Sequence, residues 1–178
     1  MRLGKRLLGM DVFVLSTGRN LGQVQDLIFS VSSSKLMALL VTAKDLVDGE
    51  GKPLEFVIKL DDVHRVGSDA VIIGDLTVLR RMDEILSMGG TWSQTPDIVG
   101  LPVITTGGTL LGTLDDVLVD TQTGDILGFQ LSDGLIKDLL TGRVVIPASS
   151  QYQLGSEALI VPEDTVDKCA PVESFPQT

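Results

Sequence analysis

Period-two alternation is the first signal along the chain. Met37, Leu39 and Val41 alternate with Ala38, Leu40 and Thr42, and later Leu127, Phe129 and Leu131 alternate with Gly128, Gln130 and Ser132. That spacing puts one apolar row on a sheet face and predicts a strand at each place. Each alternating stretch follows a turn-forming run, SVSSSK before the first and DTQTGD (Asp120 to Asp125) before the second. Many short strands punctuated by Gly and Ser predict a mainly β chain built as small barrels or sandwiches. Two stretches break the pattern. DLTVLRRMDEILSM has helical spacing at Leu76, Leu79, Met82, Ile85 and Leu86, and a GGTWSQTP linker follows it. SDGLIKDLLTGR predicts a shorter helix, capped by Ser132 or Asp133 and stopped by Gly142.

The pattern occurs twice. FVIKLDDVHRVGSDAVII (Phe56 to Ile73) lies over VVIPASSQYQLGSEALIV (Val144 to Val161) without a gap at an offset of 88. LGQVQDLIFSVSSSKLMALLV (Leu21 to Val41) lies over LGTLDDVLVDTQTGDILGFQL (Leu111 to Leu131) at an offset of 90. Gly9, Gly22 and Gly67 meet Gly100, Gly112 and Gly155. A match over this length predicts a tandem repeat of two β-rich units. Two copies are too few for a solenoid, so each unit closes on itself or against the other.

Composition narrows the function more than the fold. Aromatics are only 4% of the 178 residues, which leaves little material for stacking bases. The formal net charge of -10 disfavours a nucleic-acid backbone as a direct partner and suits a basic protein surface. The charge is uneven: residues 1–75 hold 9 basic and 10 acidic side chains, whereas residues 98–165 hold 2 and 9. The lone cysteine, Cys169, excludes a disulfide within one chain. No apolar run approaches the ~18 residues of a membrane span, so the expected location is cytoplasmic.

Candidate chemistry is sparse. Asp26 and Asp116 sit at equivalent places, and strict alternation would bury each on an apolar face. Either a bulge turns each carboxylate away, or each accepts backbone N–H groups. Asp120, Gln122 and Asp125 resemble calcium ligands, but the acidic run and closing glutamate of a calcium loop are missing, so a hairpin turn is expected. His64 is the only histidine and has no nucleophile or metal-ligand neighbour in sequence; it and its counterpart Tyr152 are expected at strand ends with solvated ring edges. Leu135, Ile136, Leu139 and Leu140 form an apolar stripe beside Asp138. The stripe either plugs a barrel mouth or forms an exposed partner-binding ridge. The corresponding TAKDLVDGEGKPLEF of the first unit predicts an open loop at Gly49 and Gly51. Ala38 and Leu40, where the second unit has Gly128 and Gln130, predict a covered outer face on the first unit. Trp92 is expected to pack in an interface.

The pattern Gly18, Gly22, Val24, Asp26 with Val66 to Ile73, repeated as Gly108, Gly112, Leu114, Asp116 with Leu154 to Val161, resembles the PRC-barrel family. The resemblance extends to the barrels of the photosynthetic reaction-centre H subunit and of a ribosome-maturation factor. It implies two small β-barrels and an adaptor surface for another macromolecule, not catalysis; from the residues themselves, no cofactor or metal is expected.

The expected organisation is a first barrel at 1–75, a helix and linker at 76–97, a second barrel at 98–165 and a flexible tail at 166–178. Gly22, Asp26, Gly67, Gly112, Asp116 and Gly155 are the expected structural positions. The expected role is a non-catalytic adaptor for a basic protein, ribosomal or nucleoid-associated, with no direct nucleic-acid contact. A peripheral place in a membrane complex, like that of the H subunit, is the alternative. An enzyme or small-molecule binder is less favoured, and a homo-oligomer is compatible with the sequence.

Overall fold

The computed structural model describes residues 1–30, 33–87, 92–132, 143–148, 151–171 and 174–175, with the side chains of Trp92 and Pro96 outside that description. The chain is mainly β. In order, the strands are β1 (Arg2–Leu3), β2 (Asp11–Val14), β3 (Arg19–Ser30), β4 (Lys35–Val47), β5 (Pro53–Lys59), β6 (Val63–Val66), β7 (Ala70–Ile73) and β8 (Trp92–Gln94). Then come β9 (Pro102–Thr105), β10 (Leu110–Val119), β11 (Ile126–Ser132), β12 (Val144–Pro147), β13 (Gln153–Leu154), β14 (Leu159–Val161) and β15 (Ala170–Pro171). Two short helices, α1 (Met82–Ser87) and α2 (Thr95–Ile98), lie between β7 and β9.

One sheet runs β5-β4-β3-β2-β7-β6, with β8 beside β3; the other runs β12-β11-β10-β9-β14-β13, with β15 beyond β12 and β1 beside β10. The six-strand path is the same in both. Each sheet has one parallel pair, β2 with β7 and β9 with β14. Each closes its last hairpin with the same hydrogen bond, Gly67 N–H to the Ala70 carbonyl at 2.8 Å and Gly155 N–H to the Ala158 carbonyl at 2.9 Å.

Bulges explain how one strand buries both of its faces. Val24 pairs with Val41 and Asp26 with Leu40, so Gln25 is the extra residue. Cross-strand partners share a face. Val24 and Leu27 therefore face with Val41 and Leu39, while Asp26 and Ile28 face the opposite way with Leu40 and Ala38. A second slip pairs Phe29 with Leu36 and passes over Met37. Simple alternation misplaces Met37 for this reason: Leu36 is buried and Met37 only partly so. The second sheet repeats both slips, pairing Leu114 with Leu131, Asp116 with Gln130, and Val119 with Ile126 past Leu127.

The outer face of the first sheet is covered, as its apolar residues require. Ile85 of α1 packs on Ile28, Ala38, Leu40 and Val57, with Met82 alongside. Burying a side chain of this size is worth about 2 kcal/mol. The helix is shorter than the spacing of apolar residues predicts. Asp75 caps a single 3-10 turn, Leu76–Val78, by accepting the Thr77 N–H at 2.8 Å. Arg80 then exchanges backbone hydrogen bonds with Val57 at 2.8 and 2.9 Å, which holds the chain extended until α1 begins. The stretch around Gly49 and Gly51 is likewise no open loop. β4 and β5 form a long hairpin, and Asp48 closes its turn by accepting the N–H groups of Glu50 and Lys52 at 2.8 and 2.9 Å.

The chain divides into two compact units, each holding a segment remote in sequence. The C-terminal unit comprises Thr95–Asp120 and Ile126–Thr178 together with Met1–Lys5. There β1 pairs with β10, Arg2 opposite Val119 and Leu3 opposite Leu118. The N-terminal unit comprises Arg6–Gln94 together with Thr121–Asp125. There β8 pairs with the end of β3, Ser30 opposite Trp92. In the same unit Leu36 N–H donates to the Gly124 carbonyl at 2.7 Å, and Lys35 Nζ lies 3.1 Å from Asp125.

Two outcomes follow from this arrangement. Removing residues 2–5 is expected to accelerate amide exchange in β10 and β11, not in β2 and β3, which follow the deletion directly. Exchange measured by mass spectrometry on the full chain and the deletion decides it, and loss of protection in β2 and β3 would contradict the assignment. Gly22→Ala is expected to cost about 2–4 kcal/mol. Its φ is +155° and a Cβ would lie 2.0 Å from the Thr42 carbonyl oxygen. Gly49→Ala, in open space, is the near-neutral control in urea unfolding.

Candidate functional site

The β10 bulge brings charged side chains together around Asp115. Asp115 is the extra residue there, opposite no single partner between Leu114 and Asp116. Its Oδ1 accepts from Lys5 Nζ at 2.6 Å and its Oδ2 from Gln130 Nε2 at 2.6 Å, while Arg143 Nε lies 3.9 Å away. Burial by itself pushes the Asp115 carboxyl up, but Lys5, Gln130 and Arg143 together hold it below the usual carboxylate range. The Gln130 amide is oriented by this contact, since its nitrogen must face the carboxylate. Gln130 is 1% exposed.

Asp116 shows that bulge and backbone capture act together. The bulge carries it off the Leu114 face, yet it stays buried at 2% exposure. Both carboxylate oxygens accept the Lys5 backbone N–H, at 3.1 and 3.2 Å, and Oδ1 also accepts its neighbour Val117's N–H at 2.7 Å. Burial raises its pKa, and the two N–H donors offset only part of that rise. Asp26 accepts the N–H of Leu27 at 2.7 Å in the same way.

The first unit lacks the network. Gln25, Leu40 and Glu55 stand where the second has Asp115, Gln130 and Arg143. Comparison of the two copies position by position carries this signal, because the three changes are chemically complementary. Lys5 had no such signal, since its capture by the second unit depends on topology.

The other expected positions separate clearly. Gly22 and Gly112 have φ values of +155° and +153°, which only glycine adopts without strain. Asp125 accepts from Thr123 Oγ1 at 2.6 Å and pairs with Lys35, so this turn residue is already engaged by a cation of the chain itself. Those two contacts, Thr123 first, hold its pKa low. His64 lies on β6 and is exposed. Tyr152 is not simply solvated: its ring meets Phe129 edge to face at 4.8 Å. Leu135, Ile136, Asp138, Leu139 and Leu140 lie outside the described residues, as does the Trp92 side chain. Among the described residues, no three metal-ligating side chains converge and no helix is long and apolar enough to cross a membrane.

Chemically, the network holds an ionised carboxylate between a lysine and an amide. It fixes the N-terminal strand and offers Lys5 and Arg143 at its rim, with side chains 44% and 66% exposed. No nucleophile and base pair up in it.

Residues 94–168 match the sequence model of the PRC-barrel domain. The match covers β9 to β14 and leaves residues 1–93 outside it. No curated protein matches the chain.

The network's contribution has a defined pH dependence. The folded pKa of Asp115 lies below its unfolded value, so its stabilisation is complete above pH ~3.9 and is lost as pH falls through the lowered folded value. Asp116 has the opposite sign: its ionised form is a cost at neutral pH, relieved as pH falls through its raised folded value. Lys5→Met is therefore expected to cost about 1 kcal/mol at pH 7, a figure kept small because Lys5 is partly solvated. The gap from wild type should narrow below pH ~4 as Asp115 protonates. Urea midpoints measured at both pH values check this, and a gap independent of pH would show that Asp115 is not the partner that matters.

Proposed function

We propose that the chain is a non-catalytic adaptor made of two PRC-type modules in tandem, and that it binds a basic protein partner. The observation that carries this reading is the PRC-barrel match over residues 94–168, since this domain serves generally as a protein-interaction module. The tandem reading is supported by the shared six-strand path and the equivalent bulges. The partner's chemistry follows from charge: residues 98–165 carry 2 basic and 9 acidic side chains. Complementary charge selects partners and accelerates encounter. Asp115, Asp116 and Asp125 are already tied within the fold. The charge offered to a partner then rests on the remaining carboxylates, Asp133 and Asp138 among them. The apolar stripe of Leu135, Ile136, Leu139 and Leu140 beside Asp138 is the proposed contact ridge. A ribosomal or nucleoid-associated protein in the cytoplasm has the required basic surface.

Crosslinking in cells followed by native fractionation tests this. Migration with ribosomal or nucleoid particles, released by moderate salt and weakened by Leu135→Ala with Leu139→Ala at unchanged melting temperature, is expected. Migration with membranes would replace the reading with a peripheral role in a membrane complex. A chain free in every fraction would overturn both.

A further inference from the structure

The two sheets finish their equivalent edges differently. In the C-terminal sheet β15 covers the edge of β12, with Ala170 opposite Val145 and Pro171 opposite Val144. In the N-terminal sheet the equivalent edge belongs to β5, and among the described residues only Arg80 pairs there, at Val57. The chain then turns into α1 at Met82 and leaves the edge. Antiparallel alternation aims the N–H and C=O of Glu55 the same way as those of Val57, and nothing among the described residues pairs with them.

Glu55 lines a groove of about 800 Å³ whose other lining residues come from the β4–β5 hairpin and from Arg81 to Leu86. Leu54, Met82 and Leu86 supply apolar lining, and Asp48, Glu55 and Asp83 supply carboxylates. Leu86 is 56% exposed, as is Val47 at the end of β4. Of the two cations at the groove, Arg81 is paired with Asp83 and Lys52 with Glu50. Pro53 and Glu55 guard the edge against indiscriminate pairing, as a proline and a charge commonly do. A strand that pairs there must therefore bring a cation to Glu55.

We propose that this groove binds an extended segment of a partner protein, apolar at alternate positions and basic between them, added as an antiparallel strand to β5 at Glu55. The covering of the equivalent β12 edge by Ala170–Pro171 shows the kind of occupant this edge accepts: a short extended apolar piece. Main-chain pairing would supply affinity, Leu54, Met82 and Leu86 would receive the apolar side chains, and Glu55 would select the charge. The site deepens the protein-binding reading above, but it uses none of the acidic residues of the second repeat.

The probe is a fluorescein-labelled peptide of alternating valine and lysine, with alternating valine and glutamate as the control, titrated against the full chain by anisotropy. Saturable binding of the valine–lysine peptide is expected, with slowed exchange of the Glu55 amide. Leu86→Arg and Glu55→Lys should each weaken it at least tenfold, and both side chains are exposed enough for the variants to fold. Absence of binding would overturn the proposal. So would binding that neither variant weakens; if such binding were also salt-sensitive, it would place the peptide on the acidic second repeat and leave the adaptor reading standing.

Discussion

A strand that is buried on both faces cannot keep a carboxylate and a row of aliphatic residues in simple alternation. The bulges at Gln25 and Asp115 resolve this conflict, and the rest of each sheet depends on them. Each moves an aspartate off the Val24 or Leu114 face and sets it beside a backbone N–H that it can accept. A buried carboxylate without such donors would cost several kcal/mol, so the bulge and the captured N–H groups stand or fall together. For Asp116 one donor is Lys5, more than a hundred residues away in sequence. The N-terminal strand is thereby a component of the C-terminal unit.

From that shared frame the two copies diverge in opposite senses. The first keeps its outer face apolar with Ile28, Ala38, Leu40 and Val57 and covers it with Ile85. The second places Gln130 and Gly128 there, and Gln130 joins a network around Asp115. Gly128 is as constrained as it is small, since a Cβ would lie 2.8 Å from the Ile146 carbonyl oxygen. The same divergence leaves the β5 edge paired at Val57 alone among the described residues and closes the β12 edge in the other sheet, because Arg80 leads into a helix while Ala170 and Pro171 stay extended. One strand path thus carries two different surfaces.

Much of the frame was legible in the sequence. The paired glycines, the turn residues of DTQTGD and the constant offset identified two copies of one strand pattern, because backbone requirements at positive φ and in tight turns tolerate few residue types. The outer-face asymmetry between Leu40 and Gln130 was also visible. The second bulge was hidden, since Leu36 and Met37 are both apolar and either fits a strand. The split of the helix was hidden too, because the pairing of Arg80 with Val57 is a tertiary contact that periodicity does not register. Lys5 and β1 were the least legible. A two-residue strand has no period, and its place is set by a partner strand far along the chain.

The neighbouring carboxylates Asp115 and Asp116 offer the most direct test of this structure. Titration of their carboxyl carbons by NMR should place Asp115 below, and Asp116 above, the ~3.9 of an unstructured aspartate. Deletion of residues 2–5 should move Asp115 back toward that value. Two curves that coincide at the ordinary value would mean that neither carboxylate is held as described, and that the N-terminal strand does not complete the second unit.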